Sequence, residues 1–405
     1  MDAEDAHTIG RRLRQIRNAR GKSLEVIAGL AGISRAHLSR IERGERALDS
    51  LSERALDSLS EIVALANALE VAPTELIRLP VPLPINGRTD STIESVRRAL
   101  TEIEHGHPGG QVLPVEVLRE RVAVLRQTPR RFADVGAALP DLIRDIQATI
   151  EAGRDVPELL QLAATMHVQV THMWLRLAGA STDLRRDAAR LARHAAHESG
   201  DVAALGVAAY GTVYALVSSG MFDLAQAELD SLTLPATTPD TAGLVGSLAI
   251  THAYLAALSK RPGDVAAPME TAAELAQRFG EATGDDVYGF AFGPTDVGLY
   301  RMALALEAGN PDEALAAAAA VHPERHPHPS RRAAYWVDYG RAAARIRGRR
   351  DEAVMALRRA EAISPHHVHR NPIVRDVLAE LLARSRRDAV GRELRGMAYR
   401  AGLPV

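Results

Sequence analysis

From Thr92 to the C-terminus, helix-forming stretches of about 12–20 residues follow one another, separated by Gly or Pro. No run of alternating β-branched residues interrupts them. This succession restricts the chain to an all-α fold, because apolar residues at helical spacing cannot line one face of a strand. Three of the breaks share one pattern. Gly220 is followed by Ala225, Leu229 and Leu232, Gly309 by Ala314, Ala318 and Val321, and Gly348 by Ala353, Leu357 and Ala360. A further break at Arg261-Pro262-Gly263 falls between the first two. The spacing is therefore about 40 residues, near the period of paired-helix repeats.

A chain of 405 residues rarely builds one core, so a small domain beside a larger repetitive one is expected. Apolar residues make up 46% and charged residues 25%, an ordinary globular balance. The absence of cysteine excludes disulfides and thiolate metal sites and fits a reducing cytosol. The acidic start MDAEDAHTIG has no apolar targeting region. No uncharged apolar stretch is expected to reach the ~18 residues of a membrane helix, so a cytoplasmic, nucleoid-associated protein without a membrane partner is the reading. Net charge is only −2, yet Gly10 to Arg46 holds ten Arg or Lys against three Glu. A basic patch on a near-neutral protein points to a polyanion.

That patch lies on a helical pattern. Ile9, Leu13 and Ile16 mark one apolar face among arginines, and Gly21 ends the first helix. Ser23 is a predicted N-cap for a second helix with Leu24, Ile27, Ala28 and Leu30 inward. Gly32-Ile33 turns the chain, and Ser34 caps a third helix, SRAHLSRIERG, stopped by Gly44. Two short helices joined by a tight Gly-containing turn form a helix-turn-helix. With Leu38 and Ile41 toward the core, Arg35, Ala36, Ser39 and Arg40 face outward where such a helix meets base edges.

The stretch GRRLRQIRNARGKSLEVIAGLAGISRAHLSRIERGER resembles the helix-turn-helix of XRE-type regulators, the phage repressor and Cro family. IVALANALEVAPTELI resembles that family's fourth and fifth helices, so the likeness runs from about Ile9 to Leu79. By position, the resemblance implies base contacts by Arg35, Ala36 and Arg40. It implies phosphate contacts by Ser34, Arg43 and Arg46, and an ion pair of Arg17 with Glu42 bracing the first helix against the third. Arg suits guanine O6 and N7, and Ala36 suits a thymine methyl. His37 is a further candidate for phosphate. Many members begin the second helix with a phosphate-gripping Gln; here Leu24 stands there, and Lys22 or the helix-start N–H groups take the part.

In the larger part, WVDYGRAAARIRGRRDEAVMALRRAEAISP resembles a tetratricopeptide repeat with one extra residue in its turn. Such repeats stack into a superhelix with a concave binding surface. The combination resembles the peptide-pheromone-sensing Rgg, PlcR and NprR regulators and the long helix-turn-helix regulators of actinobacteria; 47 Arg against two Lys suits the GC-rich genomes of the latter. It implies a body that dimerises, senses a peptide or small-molecule effector, or both. Within the aromatic group Tyr335, Trp336 and Tyr339, Trp336 and Tyr339 occupy packing positions. Tyr335 and Asp338 are the candidates for the concave, ligand-facing side.

Enzyme signatures are missing. There is no G-x-x-x-x-G-K-[ST] and no G-x-S-x-G, and His194, His197 and Glu198 lack the H-E-x-x-H order. Six of the fifteen His fall in HPERHPHPS and SPHHVHRNP, Pro-broken loops that do not define a ligand set, so neither metal nor cofactor is expected.

The expectation is therefore a five-helix repressor-like domain over residues 1–79, a Pro-rich connector over 80–91, and a tetratricopeptide-like α-solenoid over 92–405. The function expected is sequence-specific transcription regulation by a homodimer on a double-stranded DNA operator. The alternative is a protein-interaction scaffold tethered to DNA by its head, or a body acting without the head.

Residues 46–61 read RALDSLSERALDSLSE, one octapeptide written twice. Each copy carries a capping box, Ser50 with Glu53 and Ser58 with Glu61. One copy suffices to join the third helix to the fourth, so the other is an insertion, expected as a protruding loop or added helical turns. Deleting residues 46–53 should leave the preferred DNA sequence unchanged in a selection from random duplexes. A changed preference would mean that the insertion belongs to the reading surface.

Overall fold

The computed structural model describes residues 9–43, 59–69, 71, 76, 87–107, 109–127, 132–281, 286–384, 388–403 and 405. Every regular element among them is helical. The head contains α1 (Ile9–Ala19), α2 (Leu24–Ala31), α3 (Arg35–Arg43) and α4 (Leu59–Ala68). Leu13, Ile27, Leu38 and Leu65 are fully buried together, with Ala28, Ala31 and Leu76 around them. Burying each such leucine or isoleucine contributes roughly 1.5–3 kcal/mol, which is how four short helices hold one shape. The expected fifth helix falls almost wholly outside the described residues. So do Arg46, the duplicated octapeptide up to Ser58 and the side chains of both capping boxes.

Local chemistry sets the helix ends. Ser23 accepts the Val26 N–H at 3.2 Å, and Ser34 accepts the His37 N–H at 3.1 Å. Gly32 adopts φ 68°, a left-handed conformation cheap only for glycine, and lets the Ile33 N–H reach the Ala28 carbonyl at 3.0 Å. One expectation fails here: Leu30 is 65% exposed. The buried stripe of α2 runs through Ile27, Ala28 and Ala31, and Leu30 lies roughly 110° round the helix from it.

The body begins at the helix Gly87–Glu104, inside the stretch expected as connector; residues 80–86 lie outside the described residues. From there short turns fold successive helices back on each other. Val202–Ser218 precedes Phe222–Asp230, Pro294–Glu307 precedes Pro311–Ala318, and Pro329–Arg345 precedes Arg350–Ile363. In these three pairs Gly220, Gly309 and Gly348 sit in the turn at φ 74°, 79° and 86°. Ala225, Ala314 and Ala353, five residues on, are fully buried. In the last pair a Cβ on Gly340 would stand 2.8 Å from Leu357 Cγ, so the helices touch where one lacks a side chain.

Contrary to the sequence expectation, one helix, Pro239–Leu258, is long and apolar enough to cross a membrane by length and composition. Its apolar residues are used inside the body, where Leu244, Ile250, Ala253 and Leu255 are buried. The head is not isolated from the body, since Ile373 of the helix Pro372–Ala383 packs against the head core.

A π-helical stretch, His167–His172, buries two histidines. Burial pushes His167 down to about 4. His172 is lowered to about 3 by burial and then by the nearby cations Arg185 and Arg176. An unfolded chain takes up these protons near pH 6.5, whereas the folded body refuses them until about pH 4 or below. Stability should therefore fall as pH drops from 6.5 toward 4, by about 2 kcal/mol per histidine at pH 5. Urea unfolding at pH 7 and pH 5 measures it. His167→Leu should shrink the difference, and an undiminished one would contradict this origin.

Candidate nucleic-acid interface

Of nine residues in α3, Leu38 and Glu42 are buried and Ile41 is partly so. Arg35, Ala36 and Arg43 are exposed, while His37, Ser39 and Arg40 are half-buried. Leu38 and Ile41 anchor one face, so Arg35, Ala36, Ser39, Arg40 and Arg43 form an outward arc at successive spacings of one, three, one and three. Arg40 Nε donates to the Ala36 carbonyl at 3.3 Å. Arg43 Nη1 donates to Ser39 Oγ at 2.8 Å, lying along the helix surface. Ser34 and Lys22, both exposed, stand at the starts of α3 and α2. Those helix starts also present unsatisfied N–H groups and a positive dipole end. Leu24, in the place of the phosphate-gripping Gln, instead packs half-buried against the head core.

Arg17 and Glu42 meet in a two-pronged pair. Arg17 Nε donates to Glu42 Oε1 at 2.6 Å, and Nη2 to Oε2 at 2.7 Å. The side chains are 11% and 4% exposed, so solvent screens the pair weakly. The hydrogen bond to Glu42 raises the Arg17 pKa above its ordinary value, against the opposing effect of burial. Arg17 Nη1 also donates to the Lys22 carbonyl at 2.9 Å, a contact with no sequence signal. One guanidinium thus ties together α1, the turn before α2, and α3. It also neutralises the sole carboxylate of α3, leaving the outward arc purely cationic and neutral.

The other candidates are engaged within the body or do not converge. Tyr335 is 6% exposed and packs on Leu299, Met302 and Val321, with its hydroxyl donating to the Ala318 carbonyl at 3.2 Å. It fills the core because its helix turns that face toward Pro294–Glu307, so it does not face a concave ligand side. Asp338 is engaged by Arg341 at 2.7 Å, and burial raises its pKa against that attraction. The histidine loops do not converge either. His326 is buried against Asp296 at 2.9 Å, whereas His322 is exposed. His367 pairs with Ser364 and His369 with Glu361. Among the described residues no group of three His, Asp or Glu is placed to hold a metal ion.

These features define an all-helical protein whose N-terminal unit is a helix-turn-helix. Residues 8–79 match the model of a helix-turn-helix domain family. No curated protein matches the chain. Among solved structures, the crystal structure of ComR from S. thermophilus in complex with DNA and its signalling peptide ComS is similar at 15% identity and a TM-score of 0.28, covering 88% of this chain and 98% of that one.

Removing one partner of the buried pair leaves the other's charge uncompensated, which costs about 3–5 kcal/mol. Glu42→Ala should lower head stability by an amount of that order and weaken DNA binding through loss of the folded head. Native-state hydrogen exchange of α1 and α3 amides is the measurement, and unchanged protection would refute the bracing role.

Proposed function

We propose that the chain is a sequence-specific DNA-binding transcription regulator acting in the cytoplasm, with α3 inserted in the major groove. The observation that carries the reading is the inward lock on Glu42. A helix whose only carboxylate is buried by an arginine from its own domain presents just Arg, Ala, Ser and His outward. That surface suits a polyanion whose base edges accept hydrogen bonds.

In this reading Arg35 and Arg40 donate to guanine edges and Ala36 meets a thymine methyl. Lys22, Ser34, His37, Arg43 and Arg46 meet phosphates, which fix register without carrying sequence. The Ser34 hydroxyl already accepts the His37 N–H, and its own proton remains free to donate to a phosphate oxygen. The body supplies the contacts of a homodimer, whose two heads read half-sites about 34 Å apart or a multiple of that. It also carries an effector site, and effector binding changes the spacing or orientation of the heads. No catalytic step is part of the reading.

Binding to a selected operator and to random DNA over a salt series tests it. Arg35→Ala and Arg40→Ala should each cost about 1–3 kcal/mol of discrimination. Lys22→Ala should weaken binding to all sequences alike and reduce the salt slope by about one. If the arginine variants keep full preference, α3 does not read the bases. Little sequence preference in the unaltered chain would favour a scaffold.

A further inference from the structure

Inside the body lies a cavity of about 120 Å³ whose wall gathers features that are individually uncommon. Phe132, Trp174, Tyr210 and Phe290 line it, in a chain with only 4% aromatic residues. Arg126 and Arg331 line it as well, and no carboxylate does among the described residues. Arg331 lines this space, and its side chain is 28% exposed. It is held by Asp296 at 3.4 Å and by the Tyr300 hydroxyl at 3.3 Å. Among the described residues Arg126 donates only to backbone, to the Asp286 and Val287 carbonyls at 3.0 and 3.4 Å. Its Nε, Gln169 Nε2 and His328 Nε2 are buried without a partner among the described residues.

The backbone around the cavity is also irregular. Gln169 and Val170 sit on the π-helical stretch His167–His172, and single-turn π segments concentrate at functional sites because they redirect side chains. Next to the wall residue Phe290, Ala291 holds φ 46°, a left-handed conformation costing about 1–3 kcal/mol in a residue with a Cβ. The Asp286 carboxylate enforces it by accepting the Phe290 and Ala291 N–H groups, each at 2.9 Å. Gly289 beside it leaves room that Arg126 occupies, since a Cβ there would stand 2.8 Å from Arg126 Nη1. Burial first, then the neighbouring His326 and the two guanidinium groups, lowers His328 to about 4, so it is neutral near pH 7.

We propose that this cavity binds a small aromatic carboxylate, its ring among Phe132, Trp174 and Phe290 and its carboxylate received by Arg126 and Arg331 with Gln169 donating. Size limits the ligand to about one ring, since a cavity of ~150 Å³ holds benzene. Sign points to an anion, because the described wall residues offer cations and N–H or O–H donors and no carboxylate. The assignment deepens the effector reading of the body, and it stands or falls without DNA.

Benzoate is the probe. In the full chain carrying Trp336→Phe, Trp174 is the one remaining tryptophan, and its fluorescence should change saturably with a half-point below about 1 mM. Benzoate should also raise the melting temperature of the unaltered protein. Benzyl alcohol, the neutral analogue, should bind at least tenfold more weakly. Arg126→Gln should weaken benzoate tenfold or more. Absence of both the saturable change and the thermal shift would overturn the site. Equal binding of benzyl alcohol would overturn the anion assignment, and unaltered affinity in Arg126→Gln would overturn the role of that arginine. DNA binding, measured separately, reports on the head alone.

Discussion

Helix crossings at residues without side chains set the spacing on which the rest of the structure depends. In the head, a Cβ on Gly10 would overlap the Ile41 carbonyl, so α1 lies directly against α3. Only at that distance does the short reach from Arg17 to Glu42 close with two hydrogen bonds of 2.6 and 2.7 Å. In the body the same device recurs with aromatic partners: Gly136 lies under the Trp174 indole and Gly246 under the Phe292 ring. Interiors are close-packed, so a methyl at any of these points must displace a neighbour or a helix. The abundance of alanine and glycine is thus a geometric requirement as well as a matter of helix propensity.

The helix ends of α2 and α3 are legible in the sequence because their determinants are local. Ser23, Gly32 and Ser34 act on groups within five residues of themselves, and short-range hydrogen bonding has a fixed sequence spacing. The Arg17–Glu42 contact spans 25 residues and was reached through resemblance, with no spacing rule behind it. Leu30 was misplaced because an eight-residue helix has room for one stripe only, and adjacent apolar residues compete for it. The sequence overextends the connector because prolines at 80, 82 and 84 mark where a helix is broken and say nothing of the helix that begins at Gly87.

In the body, periodicity located helices and turns but not the direction each face takes. Tyr335 and Trp336 are sequence neighbours whose rings meet at 88°, one buried against Ala318 and the other under the Arg359 guanidinium at 4.2 Å. Which of the two faces a groove depends on the next helix, a tertiary fact. The cavity illustrates the limit more sharply. Arg126, Gln169, Tyr210, Phe290 and Arg331 arrive from five separate segments, and no motif spacing joins them. Its local markers, the π-helical stretch and the left-handed Ala291, are backbone conformations with no residue signature of their own. The single trace in the sequence was scarcity: in a chain so poor in aromatics, each Phe or Trp is worth locating.

One short helix links the cavity wall to the segment that packs on the head. Phe132, on the cavity wall, meets the His366 ring at 3.8 Å between centroids. His366 belongs to Pro365–His369, which Arg370 ties to the neighbouring helix Met173–Ala178 through the Ala178 carbonyl. Two residues later begins Pro372–Ala383, whose Ile373 packs on the head core. Phe132 also stacks on Trp174 at 5.2 Å and accepts its indole N–H at 2.9 Å, so a ligand displacing either ring acts on both. A close-packed interior has no slack to absorb such a displacement. One packed path from the cavity to the head core therefore runs through the eight residues 366–373, and a second runs through Pro239–Leu258, which touches both α4 and the helix that carries Tyr210.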